Sequence, residues 1–113
     1  MSLGDIADRY SICLLKSQRG SINVNDELSA LKTEIDSNGL HGYVEELYKV
    51  NGEIWTLESD IRQGKEGLMT LEEIGKRALL IRDFNKIRVD IKNKINIKHQ
   101  SGFIEYKKFH ASE

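Results

Sequence analysis

Asn51, Trp55, Glu58 and Arg62 follow one another at intervals of four, three and four, so a helix would carry all four side chains on one stripe. Asn85, Arg88, Lys92 and Asn96 form a second stripe of the same kind further along the chain. If the stripes meet, two uses are open. Arginine forks can grip phosphate or carboxylate while the indole of Trp55 stacks on a ring, which would suit a small anionic, phosphorylated, nucleotide-sugar or hydroxyl-rich ligand. The same residues can instead hydrogen-bond to one another and set the register of two packed helices, as polar groups in helix seams do. The structural use is the favoured one.

A third set, Asp8 and Ser11 with Lys16 and Arg19 beyond them, lies near the N-terminus. A carboxylate, a hydroxyl and an amine together can support acid–base chemistry. At this spacing, however, ordinary solvent exposure is the expectation. Metal chemistry has little to work with, because His41, His99 and His110 are widely separated and Cys13 is alone. The E-x-x-E and E-x-x-D pairs that hold magnesium in helical nucleotide pyrophosphatases are missing, and no glycine-rich phosphate loop is present. Neither a catalytic residue nor a cofactor is assigned.

The elements that must position these side chains are all helical. The 113 residues include no proline, which suits long uninterrupted helices. Asp5 is expected to cap a first helix over about 6–18, with Ile6, Tyr10, Cys13 and Leu14 on one face and Gly20 at its end. A second helix over about 24–37 carries Val24, Leu28, Leu31 and Ile35 and stops at Asn38-Gly39, with Gly39 in the left-handed conformation. The third, about 42–63, has a seam of Leu40, Tyr43, Leu47, Val50, Asn51, Ile54, Leu57 and Ile61. Thr70-Leu71-Glu72-Glu73 then fits a capping box, with Met69 and Ile74 as a hydrophobic staple, opening a fourth helix over about 71–99.

A turn near Gly67 folds the last two helices into an antiparallel, coiled-coil-like hairpin. That register sets Asn51 beside Asn85, Ile54 beside Ile81, and Trp55 and Leu57 near the small Ala78. At 1.5 Å per residue the fourth helix is roughly 10 Å longer than the third, so one end of it needs another partner. The segment Phe103 to Phe109 loses the helical period and is expected to be a short extended tail.

Charge is distributed unevenly. Residues 1–75 hold 7 basic and 14 acidic side chains, and residues 76–113 hold 10 basic and 4 acidic, behind an overall net charge of −1. Packing of the basic fourth helix on acidic second and third helices would cancel most of this. The alternative is nucleic-acid binding through Arg82, Lys86, Lys92, Lys94, Lys98, Lys107 and Lys108. No apolar run approaches the roughly 20 residues needed to span a bilayer, and the N-terminus lacks a secretory pattern. A cytoplasmic protein with a buried, reduced Cys13 is expected.

Several phrases resemble an uncharacterised family of small all-helical proteins from bacteria and tailed phages, a domain of unknown function. They are Gly4 to Ile12, the tryptophan-centred Asn51 to Arg62, Asn85-Lys86-Ile87-Arg88, Ile91 to Asn96 and Gly102-Phe103-Ile104-Glu105. The resemblance implies an all-helical fold, a phage or bacterial origin and at most an accessory role in glycan or nucleotide-sugar metabolism. It carries no activity to transfer. The expectation is therefore a single all-α domain of four helices acting as a non-catalytic interaction or assembly module, as a homodimer or docked on a protein partner. The alternatives are the small-ligand protein or enzyme and the nucleic-acid binder.

Overall fold

The computed structural model describes residues 1–64, 67 and 69–99. It is all-α, with α1 (Leu3–Arg19), α2 (Asn25–Asn38), α3 (His41–Gln63) and α4 (Leu71–His99). The expected tail over 101–113 lies outside the described residues. No described helix is long and apolar enough to cross a membrane.

Local chemistry explains where each helix starts and stops. The α1 helix begins earlier than Asp5 would allow as a cap, because Ser2 Oγ accepts the Asp5 amide hydrogen at 3.1 Å and caps it instead. Asp5 then sits in the first turn, where a negative charge faces the positive end of the helix dipole. Gly39 ends α2 with φ +63°, a left-handed conformation that glycine adopts without steric cost. Thr70 Oγ1 accepts the Glu73 amide hydrogen at 3.1 Å, the threonine half of the expected capping box. Met69, expected to staple Ile74, lies over Gly64, where an added Cβ would come within 2.9 Å of it.

The molecule measures 46 × 36 × 19 Å. Its thinnest dimension is about two helix diameters, and its longest is close to the roughly 43 Å of a 29-residue helix. The α3 and α4 helices share the largest contact, and α1 packs on both. Arg77 meets Asp60 at 3.4 Å near the connecting loop, while further from it Arg88 shares a cavity with Asn51, Trp55 and Glu58. The apolar core gathers at the far end: Ala7 of α1, Ile35 of α2, Leu40, Val44 and Leu47 at the start of α3, and Ile91 and Ile95 late in α4.

This placement departs from the expected seam in three ways. Of the α2 residues given a heptad role only Ile35 is buried, because that helix touches the body mainly through α1. Ala78 is exposed, so it is not the small residue beneath a bulky one. The close approach for Trp55 is Gly20, where an added Cβ would lie 3.3 Å from the indole.

The tightest crossing is between α1 and α4. An added Cβ on Gly4 would stand 2.7 Å from the Lys92 carbonyl oxygen and 2.9 Å from Asn96 Oδ1, so backbone would have to move. Gly75, in contrast, has nothing within 4 Å of an added Cβ. Chemical denaturation should therefore show Gly4→Ala destabilising by about 1–3 kcal/mol and Gly75→Ala stabilising by about 0.5–1 kcal/mol.

Candidate functional site

The polar stripes of α3 and α4 do meet, and α1 joins them. Asp8 is 5% exposed and Ser11 0%, which corrects the expectation that this pair faces solvent. The reason is a run of small and polar residues, Gly4, Ala7, Asp8 and Ser11, which forms the buried face of α1 where it lies across the other two helices. Asp8 accepts from Arg88 Nε at 2.8 Å and Nη2 at 2.5 Å, a two-point ion pair. Asn51 Nδ2 donates to Asp8 Oδ1 at 3.0 Å and to Ser11 Oγ at 2.8 Å. Ser11 in turn donates to the Asp8 carbonyl at 2.7 Å.

Three helices thus converge on one carboxylate. Asn51 does not pair directly with Asn85 in the hydrogen bonds found. Its partners are on α1, and Asn85 enters through a long contact with Arg88 Nη1 at 3.5 Å. The expected register paired α3 with α4 directly, whereas the polar side of α1 closes over the hairpin and takes the bonds of both.

The remaining predicted residues divide between helix anchoring and surface. Lys92, 9% exposed, reaches Asp5 at 3.1 Å. Asn96 Oδ1 accepts the Gly4 amide hydrogen at 2.8 Å, a buried bond joining the start of α1 to the end of α4. Arg62 is exposed and donates to Ser59 of its own helix, outside the cluster. Asp5 and Gly4 were not anticipated as partners. The pairing of Asp5 and Asp8 at i and i+3, with Gly4, Ala7 and Ser11 at helical spacing, was the available signal; hydrophobicity alone reads such a face as wet.

Within this framework the basic charges of α4 are answered from α1 as well as α3. Arg88 pairs with Asp8, Lys92 with Asp5 and Arg77 with Asp60. The acid on α3 agrees with the expectation, and among these pairs α1 stands where α2 was expected. Lys98 sits 5.7 Å over the Tyr43 ring. Every buried side-chain nitrogen and oxygen among the described residues has a hydrogen-bond partner. The cluster is therefore complete as it stands, as a register-setting network should be.

Beside the network lies a cavity of about 230 Å³. Its walls are Ile12 and Leu15 from α1, Asn51, Ile54, Trp55 and Glu58 from α3, and Arg88 from α4. A larger apolar groove of about 350 Å³ runs along Leu14, Gln18, Val44, Glu45, Tyr48 and Lys49, with the Tyr48 hydroxyl donating to Gln18.

No family model matches the chain, and no curated protein or solved structure is significantly similar to it.

Two electrostatic details bear on stability. Cys13 is 1% exposed, and burial together with the nearby Glu27 raises its thiol pKa, so it should resist alkylation until the protein unfolds. Burial pushes the Asp5 carboxyl up, but the hydrogen bonds from Lys92 and Ser2 and the Lys92 charge outweigh it and leave Asp5 below its ordinary value. A depressed carboxylate stabilises the fold above its unfolded pKa of 3.8 and loses that contribution as pH falls through the folded value.

Denaturation at neutral pH should show Asp8→Ala losing about 3 kcal/mol, since it removes a buried carboxylate that accepts from both Arg88 and Asn51. Asp5→Asn, which replaces a carboxylate 43% exposed to solvent and leaves Lys92 an amide oxygen to bond, should lose less than about 1 kcal/mol. The Asp5→Asn deficit should vanish on acidification below the folded Asp5 value.

Proposed function

We propose that this protein is a non-catalytic helical assembly module that forms a homodimer through the solvent face of α4. The observation that carries this reading is a line of seven exposed residues at alternating intervals of three and four: Glu73, Lys76, Leu80, Asp83, Ile87, Asp90 and Lys94. Leu80 is 47% and Ile87 45% exposed, and the neighbouring Leu79 is 52% exposed. Such spacing is that of a lengthwise helix seam, and here it faces water.

The charges along the line select its partner. With Leu80 of one copy against the partner's Ile87, an antiparallel twofold pairing brings Glu73 opposite the partner's Lys94. The same register places Lys76 beside the partner's Asp90. A parallel pairing would instead set each charge against itself, which costs rather than gains energy. An isologous contact of this kind closes on itself as a dimer. Asp83 falls near the twofold axis, facing its own copy, and each Asp83 is already held by Arg82 at 3.2 Å.

The bonds that Asp8, Ser11 and Asn51 make inside the fold support assembly over catalysis, because these buried groups are occupied in joining helices. The internal pairing of Arg77, Arg88 and Lys92 likewise weighs against a nucleic-acid surface on α4. A lone, buried thiol suits a reducing compartment such as the cytoplasm.

Sedimentation at tens of micromolar should find a species of twice the 12.9 kDa chain mass. Leu80→Lys and Ile87→Lys should each yield folded monomer, and Asp83→Asn should tighten the dimer by relieving repulsion at the axis. A wild-type monomer at that concentration, or a dimer indifferent to Leu80→Lys and Ile87→Lys, would overturn the proposal.

A further inference from the structure

The cavity beside Asp8 is lined by an acid, Glu58, as well as by Arg88. Arg88 faces it, but its guanidinium directs Nε and Nη2 to Asp8 and Nη1 to Asn85. Asn51 has committed its amide hydrogens to Asp8 and Ser11. The Nε and Nη2 groups of Arg88 are thus turned to a carboxylate of the network. Glu58, which is exposed, has no partner for its carboxylate among the described residues, since Arg62 one turn on donates to Ser59. The cavity is therefore lined by a carboxylate that no described residue pairs.

Trp55 lines the same cavity, and Ile12, Leu15 and Ile54 supply its apolar wall. A carboxylate, the π face of a tryptophan and an apolar floor are the elements that recognise an organic cation. The volume of about 230 Å³ is below the roughly 300–1,000 Å³ of drug-sized sites, which suits a small ligand.

We infer that this cavity binds a small organic ammonium ion, its charge shared between Glu58 and Trp55 and its alkyl portion on Ile12, Leu15 and Ile54. The site is separate from the proposed dimer contact, because neither Leu80 nor Ile87 lines it. Either can fail without the other.

Trp55 is the only tryptophan, so its emission reports the cavity directly. The full chain is titrated with choline, with its neutral isostere 3,3-dimethyl-1-butanol, and with inorganic phosphate. Choline should change the emission saturably, with an apparent Kd at least tenfold tighter than any response to the alcohol, and phosphate should have no saturable effect. Glu58→Gln, at an exposed position that leaves the Asp8 network intact, should keep its thermal midpoint and weaken choline at least tenfold. No saturable response to choline, an equal response to the alcohol, saturable binding of phosphate, or full choline affinity in folded Glu58→Gln would each overturn the assignment.

Discussion

A single carboxylate organises this fold. Asp8 brings a negative charge into the space between three helices, where it would be costly alone, and its position is tolerable only because Arg88 from α4 and Asn51 from α3 are aimed at it. The requirement is mutual. Arg88 needs a counter-charge at that depth, and Asn51 needs acceptors for both of its amide hydrogens. Ser11 supplies one and steadies Asp8 through its carbonyl. Sliding any helix by one turn would leave several of these groups unsatisfied at once, so the network discriminates among registers that the apolar contacts alone would permit.

The remainder of the molecule can be understood from that anchor. Small residues on α1, above all Gly4, let it settle closely on α4, and Asn96 and Lys92 extend the contact toward the start of α1. Apolar packing then concentrates around Leu40, Leu47, Ile91 and Ile95. Among the described residues the contacts of α1 with α4 lie at Arg88, Lys92 and Asn96, and ahead of them Leu71, Leu79, Leu80 and Ile87 reach water. An unmatched helix end and an exposed heptad line are two aspects of one fact: α1 and α2 cover too little of α4.

Much of this was legible in the amino-acid order. Gly39, Thr70 and the absence of proline marked helix limits to within a few residues, because capping is a local interaction that a sequence displays directly. Asn51, Arg88, Lys92 and Asn96 could be singled out because polar residues at seam positions break the apolar period. Their partners could not. Asp8 and Ser11 read as surface, since a small, polar helix face has the pattern of a wet one and its partner arginine lies 80 residues away. The same limit applies to Ala78, whose small size suggested a close helix approach that occurs at Gly20. Trp55 and Glu58 are legible as members of a stripe, but the cavity they line takes walls from α1 and α4 as well, which local spacing does not display.

The assembly account is tested most directly by cysteine cross-linking across the proposed twofold axis, which Cys13 does not confuse because it is buried. In an antiparallel α4 pair, positions 83 face each other, whereas positions 73 lie about 31 Å apart along the helix direction, given 1.5 Å per residue. Oxidation of Asp83→Cys should give a disulfide-linked dimer in high yield, and Glu73→Cys should remain uncrosslinked. Equal cross-linking at both positions, or none at 83, would contradict the antiparallel α4 interface on which the account rests.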